Sequence, residues 1–140
     1  MQLERFIHFE NTFWDLSVKA ERLWKAIYEK TFPGSQSHII MLLQRSGPLK
    51  MSEIAEKLQM TAGAITIASD HLIENDYIER QRDKNDRRII RLNITNKGAS
   101  QLAELQLEGR EKMLSLFDHV SEEQLIMMTD IFQEASNKLK

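Results

Sequence analysis

The chain has 140 residues, 41% of them hydrophobic and 29% charged, with a formal net charge of −2; this describes one folded, soluble domain that buries roughly two-thirds of the surface its unfolded chain would expose. There is no cysteine, which excludes disulfides and thiol-based sensing. No apolar run reaches transmembrane length, nothing after Met1 has a signal-peptide pattern, and no segment is repeated or of low complexity, so the expected destination is the cytoplasm with no membrane partner.

From Leu3 to Tyr28 an apolar seam (Leu3, Phe6, Ile7, Phe13, Trp14, Ala20, Trp24, Ile27, Tyr28) keeps helical spacing until Phe32, Pro33 and Gly34 break it. A helix of ~26 residues is about 39 Å long. A domain of this size covers such a length poorly by itself, so a second copy of the chain is the expected cover, with packing inside the monomer as the alternative. Ile39, Ile40, Leu42 and Leu43 then mark a second apolar helix that Gly47 and Pro48 end.

Met51 to Met60 reads as a short helix whose one apolar face holds Ile54, Ala55 and Leu58. Lys50 stands where a capping residue is wanted, and Ser52 can serve one turn later. Thr61 is the candidate N-cap of the next helix, which runs to about Asn75. Two short helices joined by so tight a turn make a helix-turn-helix, here about residues 51 to 75. In its second helix Ile65, Ala68, Ser69 and Leu72 share the side that faces the core. Gly63, Thr66, Ile67 and Asp70 point outward, with Ala62 and His71 at the edges. Small residues there permit close approach to a groove, Thr66 can hydrogen-bond a base edge, and Ile67 can cover a thymine methyl. The alternatives are that Ile67 packs against a neighbouring element and that Gly63 only relaxes a short helix. Asp70 is expected to have a local structural role, and Asp76 to take the left-handed turn that ends the helix.

Residues 78 to 95 read as two β-branched strands around a polar reversal at Asp83, Lys84, Asn85 and Asp86. Between residues 80 and 98 seven cations (Arg80, Arg82, Lys84, Arg87, Arg88, Arg91, Lys97) stand against two anions, a local balance of +5. Either the hairpin faces phosphates or its charges guard a strand edge against aggregation. Residues 51 to 79, by contrast, carry a balance of −5. If this segment sits on DNA, its acids must point away and the hairpin must supply much of the attraction. Past Gly98 a helical run holds Leu102, Leu105, Met113, Leu116 and Phe117. Ser121 and Gln124 then form a capping box for a last helix with Leu125, Met128, Ile131, Phe132 and Leu139.

The chemistry of catalysis is missing from this pattern. There is no Gly-rich phosphate loop and no local nucleophile signature, so no enzyme and no cofactor is expected. His8, His38, His71 and His119 lack metal-ligand spacing, and no metal site is expected either.

Residues 35 to 98 resemble the winged helix-turn-helix core of the MarR (multiple antibiotic resistance regulator) family of bacterial transcription factors. The resemblance is carried by the run from Met51 to Leu72, by Tyr77 to Arg80, and above all by Asp86 and Arg88 followed by Leu92, Ile94, Thr95 and Gly98. It implies that Arg88 enters a minor groove beside the recognition site while Asp86 helps to hold it. It further implies that helices within residues 1 to 32 and 99 to 140 intertwine in a two-fold dimer, and that small aromatic or amphipathic effectors bind between the dimer base and the DNA-binding lobe, where Phe13, Trp14, Trp24 or methionines contribute. The recognition helix departs from the family in carrying Ala62, Ile67 and His71 where Lys or Arg is common.

The resulting expectation is a mainly α single domain over residues 1 to 140 with a small β-wing. It would be a winged helix-turn-helix with long terminal dimerisation helices, acting as a homodimeric repressor on double-stranded DNA. Its expected DNA-binding residues are Thr61, Ala62, Gly63, Thr66, Ile67, His71, Lys84, Asp86, Arg87 and Arg88. The alternative is a dimeric winged-helix interaction protein without sequence-specific DNA binding.

Overall fold

The computed structural model describes residues 2 to 139. Its described elements, in chain order, are α1 (Leu3–Glu29), α2 (Ser35–Ser46), β1 (Leu49–Lys50), α3 (Met51–Leu58), α4 (Ala62–Glu74), β2 (Ile78–Arg82), β3 (Ile90–Ile94), α5 (Asn96–Leu116) and α6 (Glu122–Asn137). They fall into two compact units divided after Gly109. The expected class, mainly α with a small β-wing, is the class observed. No described helix is long and apolar enough to cross a membrane.

Local chemistry sets most boundaries. Gly34 and Gly47 take positive φ values of 60° and 80° on either side of α2, where only glycine is unstrained. Asp76 turns the chain out of α4 at φ 61°, as expected of a short polar side chain in the left-handed region. At the start of α3 the anticipated cap at Ser52 is not the one used. Lys50 holds the N-cap position, and because its ammonium can only donate, the bond made there is from its backbone N–H to Glu53 Oε1 at 3.0 Å. Thr61 and Ser121 cap as expected: Thr61 Oγ1 accepts from Ala64 N–H at 3.1 Å, and Ser121 and Gln124 form both bonds of a capping box at 3.0 and 3.1 Å.

The sheet is antiparallel in the order β1-β3-β2. Two strands were expected and three are present. The extra one, Leu49 and Lys50, pairs with Leu92 and Arg91. The hairpin also reverses over a longer stretch than the expected four residues: β2 ends at Arg82 and β3 begins at Ile90, so Arg87 and Arg88 lie in the loop and not on a strand. The Asp83 carboxylate explains this, since Oδ2 accepts from the backbone N–H groups of Asn85 and Asp86 at 2.9 Å each while Oδ1 takes Arg91 Nη1 at 2.8 Å.

The core of the first unit gathers Ile39, Ile40 and Leu43 from α2, Ile54 from α3, Ile65 and Leu72 from α4, and Ile78 and Leu92 from the sheet, each 1% exposed or less. Ile27, Phe32 and Leu102 join it from outside residues 35 to 98. Burying each of these side chains stabilises the unit by about 1.5 to 3 kcal/mol. Ala68 and Ser69 are buried beside Ile65 and Leu72, so the inward face of α4 is the one its spacing indicates. The exit of α4 is fastened to the start of α5: Thr95 Oγ1 donates to the Asp76 carbonyl at 2.6 Å and accepts from Gly98 N–H at 3.0 Å, and Lys97 Nζ donates to the Asn75 carbonyl at 2.9 Å. A Cβ at Gly98 would collide with the Tyr77 carbonyl, so this junction admits no larger residue.

Other apolar side chains have no such cover. Leu3 is 71% and Trp14 60% exposed on α1. In the second unit α6 has no buried residue among those described, and Leu125, Ile126, Met127, Ile131 and Phe132 are all exposed.

Candidate nucleic-acid interface

Two elements of the first unit present the residues singled out in the sequence. On α4 the exposed face carries Ala62, Gly63, Thr66, Ile67, Asp70 and His71, with the cap Thr61 at its start. Ile67 is 65% exposed, which settles its alternatives against packing. Thr66 Oγ1 donates to the Ala62 carbonyl at 2.9 Å, so the lone pairs of this hydroxyl are left to face outward as acceptors. Apart from its chain neighbours and the helix's own backbone, no atom lies within 4 Å of where a Cβ would stand on Gly63. Ala64, Ile67, Ala68 and His71 border an open groove of about 470 Å³ whose opposite side is the start of α2 at Ser35 and Gln36.

The loop between β2 and β3 is built around two carboxylates. Asp83 shapes its beginning, as described above, and those backbone N–H groups together with Arg91 hold its carboxyl below the usual range. Asp86 grips Arg88 twice, Oδ1 to Nε and Oδ2 to Nη2, both at 3.1 Å, and Oδ1 also accepts from the Arg88 backbone N–H at 3.1 Å. These bonds lower the Asp86 pKa and raise that of Arg88, so the pair stays ionised as pH falls into the ordinary carboxylate range. The Arg88 side chain is nonetheless 91% exposed. A planar guanidinium fixed on one edge and open on the other is pre-oriented for an anionic or narrow-groove partner.

The other cations divide by what they touch. Arg80 pairs with Asp70 at 3.3 Å and Arg91 with Asp83 at 2.8 Å, whereas Arg82 Nη1 donates to the Arg87 carbonyl at 2.8 Å and braces the loop. Sequence reasoning counted these three arginines as charge without giving them roles. Their partners lie on other turns or other elements, and hairpin charge alone was the signal available. Lys84 and Arg87 are exposed and have no ion pair among the described residues. The structure thus brings Lys84, Asp86, Arg87 and Arg88 onto one loop, and Thr61, Ala62, Gly63, Thr66, Ile67 and His71 onto one helix face.

A separate cavity of about 480 Å³ opens between α1 and α2, lined by Trp24, Tyr28, His38, Met41 and Met60, with Glu21, Lys25 and Glu29 at its sides. Of the aromatic residues expected at an effector site, Trp24 lines it. Phe13 and Trp14 do not; they lie about three turns nearer the start of α1. Among the described residues no cluster of His, Asp and Glu is placed to hold a metal.

Comparison with known proteins places this arrangement. A family model described as MarR family matches residues 33–90. The HTH-type transcriptional regulator YpoP of Bacillus subtilis is 32% identical over 112 residues, which are 80% of this chain and 79% of that protein. The HTH-type transcriptional repressor MdtR of the same organism is 31% identical over 98 residues, 69% of this chain and 63% of its own length. A mutant of S. aureus MepR, solved bound to an oligodeoxyribonucleotide, shares the fold with a TM-score of 0.72 at 20% identity, over 94% of this chain and 98% of that one. With the helix-turn-helix, the Asp86–Arg88 loop and these matches in agreement, the chain belongs to the MarR family.

Proposed function

We propose that this protein is a DNA-binding transcription regulator that acts as a homodimer, represses by occupying a pseudo-palindromic operator, and is released by a small aromatic or amphipathic ligand. The observation that carries DNA binding is the Asp86–Arg88 pair: an exposed guanidinium held by two bonds in the hairpin loop, within a stretch from residue 80 to residue 98 that has a local balance of +5. A narrow minor groove attracts such a group through its enhanced negative potential. The small outward residues of α4 suit entry into a major groove, with Thr66 accepting from a base edge and Ile67 covering a methyl. The MepR complex with DNA and the repressor MdtR support the same reading.

Dimerisation is supported by the apolar side chains that each unit leaves exposed, Leu3, Phe6 and Trp14 in the first and Leu125, Ile131 and Phe132 in the second. Two half-sites about 34 to 36 Å apart then require two heads at a fixed spacing, so a ligand that changes the spacing releases the operator. The cavity between α1 and α2 has the size and apolar lining of a small-molecule site.

The test is a selection of bound fragments from genomic DNA, followed by affinity measurement of the selected operator at several salt concentrations, with the oligomeric state from sedimentation at micromolar protein. A dimer whose affinity falls steeply with salt and which discriminates its operator is expected. A protein that shows neither salt dependence nor discrimination is an interaction module, and the proposal fails.

A further inference from the structure

Among its small residues the outward face of α4 carries the acid Asp70, three and four positions from Ile67 and Thr66 and therefore on the same side of the helix, with Glu74 one turn further on at the helix end. A bare carboxylate there would oppose the approach of any phosphate backbone. It is not bare: Arg80 Nη2, from the first strand of the hairpin, lies 3.3 Å from Asp70 Oδ1. Both side chains are 51% exposed, so the pair contributes little to stability and its construction calls for another reason.

We infer that Arg80 masks the Asp70 carboxylate at the DNA-facing surface, and that it is a positioning residue for α4 and not itself a phosphate contact. With the pair closed, the face from Thr61 to His71 has no uncompensated charge, and the segment's remaining acids lie on α3 or at the far end of α4 and beyond (Glu53, Glu56, Glu74, Asp76, Glu79). The bond also ties the recognition helix to β2, so helix and wing meet DNA in a fixed relation. Arg80, like Arg91 with Asp83, is thereby committed to a partner within the protein, and the attraction that the wing offers DNA comes chiefly from the exposed Lys84, Arg87 and Arg88.

This inference rests on the DNA-binding reading above, and a double-mutant cycle separates the two. Affinity for the selected operator and for non-specific duplex is measured for wild type, Arg80→Ala, Asp70→Asn and the double variant, with thermal unfolding to confirm folding. Arg80→Ala is expected to weaken both DNAs about tenfold, because the freed carboxylate repels phosphates whatever the sequence. In the Asp70→Asn background the same replacement is expected to cost about threefold or less, leaving the double variant close to wild type. Lys19→Ala removes the same charge from a more exposed pair with Asp15 on α1, and should change affinity less than twofold. Equal losses from Arg80→Ala in both backgrounds would make Arg80 an independent phosphate contact and overturn the inference. So would no loss in either. If wild type itself shows no salt-dependent binding, the DNA-binding reading has failed before any variant is compared.

Discussion

The recognition helix and the wing stand side by side in one lobe and are made of opposite materials. On α4 the outward residues from Ala62 to Ile67 are small or apolar, and the acid that follows them, Asp70, is already paired. On the wing nearly every outward residue is charged, and Asp83, Asp86, Arg88 and Arg91 are held by bonds within the hairpin. On the proposed function the difference amounts to a division of labour: the hairpin would supply long-range, sequence-independent attraction, and the helix short-range discrimination, its fit depending on shape and on very few hydrogen bonds. In that proposal a helix without Lys or Arg on its exposed face serves as the reader because the wing supplies the charge.

That division can be broken experimentally. The largest effect is expected from replacing Thr66 and Ile67 by Ala, which should change preference by about 1 to 3 kcal/mol at one or two operator positions while leaving non-specific affinity almost untouched. A randomised operator library ranked by wild type and variant reads this directly, and an unchanged ranking would remove both residues from base readout. Arg88→Ala should come next, weakening the operator at least about tenfold, or about 1.4 kcal/mol, with dimerisation and thermal stability nearly intact. Wild-type affinity from that variant would mean that the wing does not enter a groove.

Asp86→Ala sharpens the comparison, because it removes a negative charge and the grip on Arg88 together. A loss of about threefold is expected, smaller than that of Arg88→Ala, since positioning is lost while repulsion is relieved. A gain in affinity would show that net charge alone governs the wing. The smallest effects belong to Lys84→Ala and Arg87→Ala, each expected to weaken all sequences about equally and to lower the salt slope by about one. If either variant alters operator ranking, the separation between attraction and discrimination is wrong at that residue.

How far the fold could be read beforehand follows from the range of the interactions involved. The buried set of α4, the caps at Thr61 and Ser121, and the left-handed turn at Asp76 depend on neighbours within four residues, and the sequence spacing states them. The strand at Leu49 and Lys50 does not, because two residues hold no periodicity and the partners, Leu92 and Arg91, are some forty positions away. The loop from residue 83 to residue 89 is longer than the polar run at residues 83 to 86 indicates, because the carboxylate of Asp83 binds backbone and Arg91 at once, a geometry that no residue pattern shows. The same limit applies to the site. Asp86 and Arg88 are two positions apart, so their partnership was visible through the family signature, whereas Asp70 and Arg80 meet only once α4 and β2 are placed. Lobe boundaries drawn at residues 35 and 98 likewise omit Ile27, Phe32 and Leu102, whose burial depends on packing from outside that span.

The open space beside Gly63 has a consequence for how such a protein can be altered. A Cβ added there meets no atom within 4 Å beyond its chain neighbours and the helix's own backbone, and the position lies in the first turn of α4, where glycine is a poor helix former. Gly63→Ala should therefore stabilise the fold by about 0.4 to 1 kcal/mol, and polar or basic replacements should be tolerated as well. Ala62, Thr66 and Ile67 are similarly free of duties in the core. On the proposed reading, operator preference can thus be redesigned through substitutions at these positions without compensating changes in the interior.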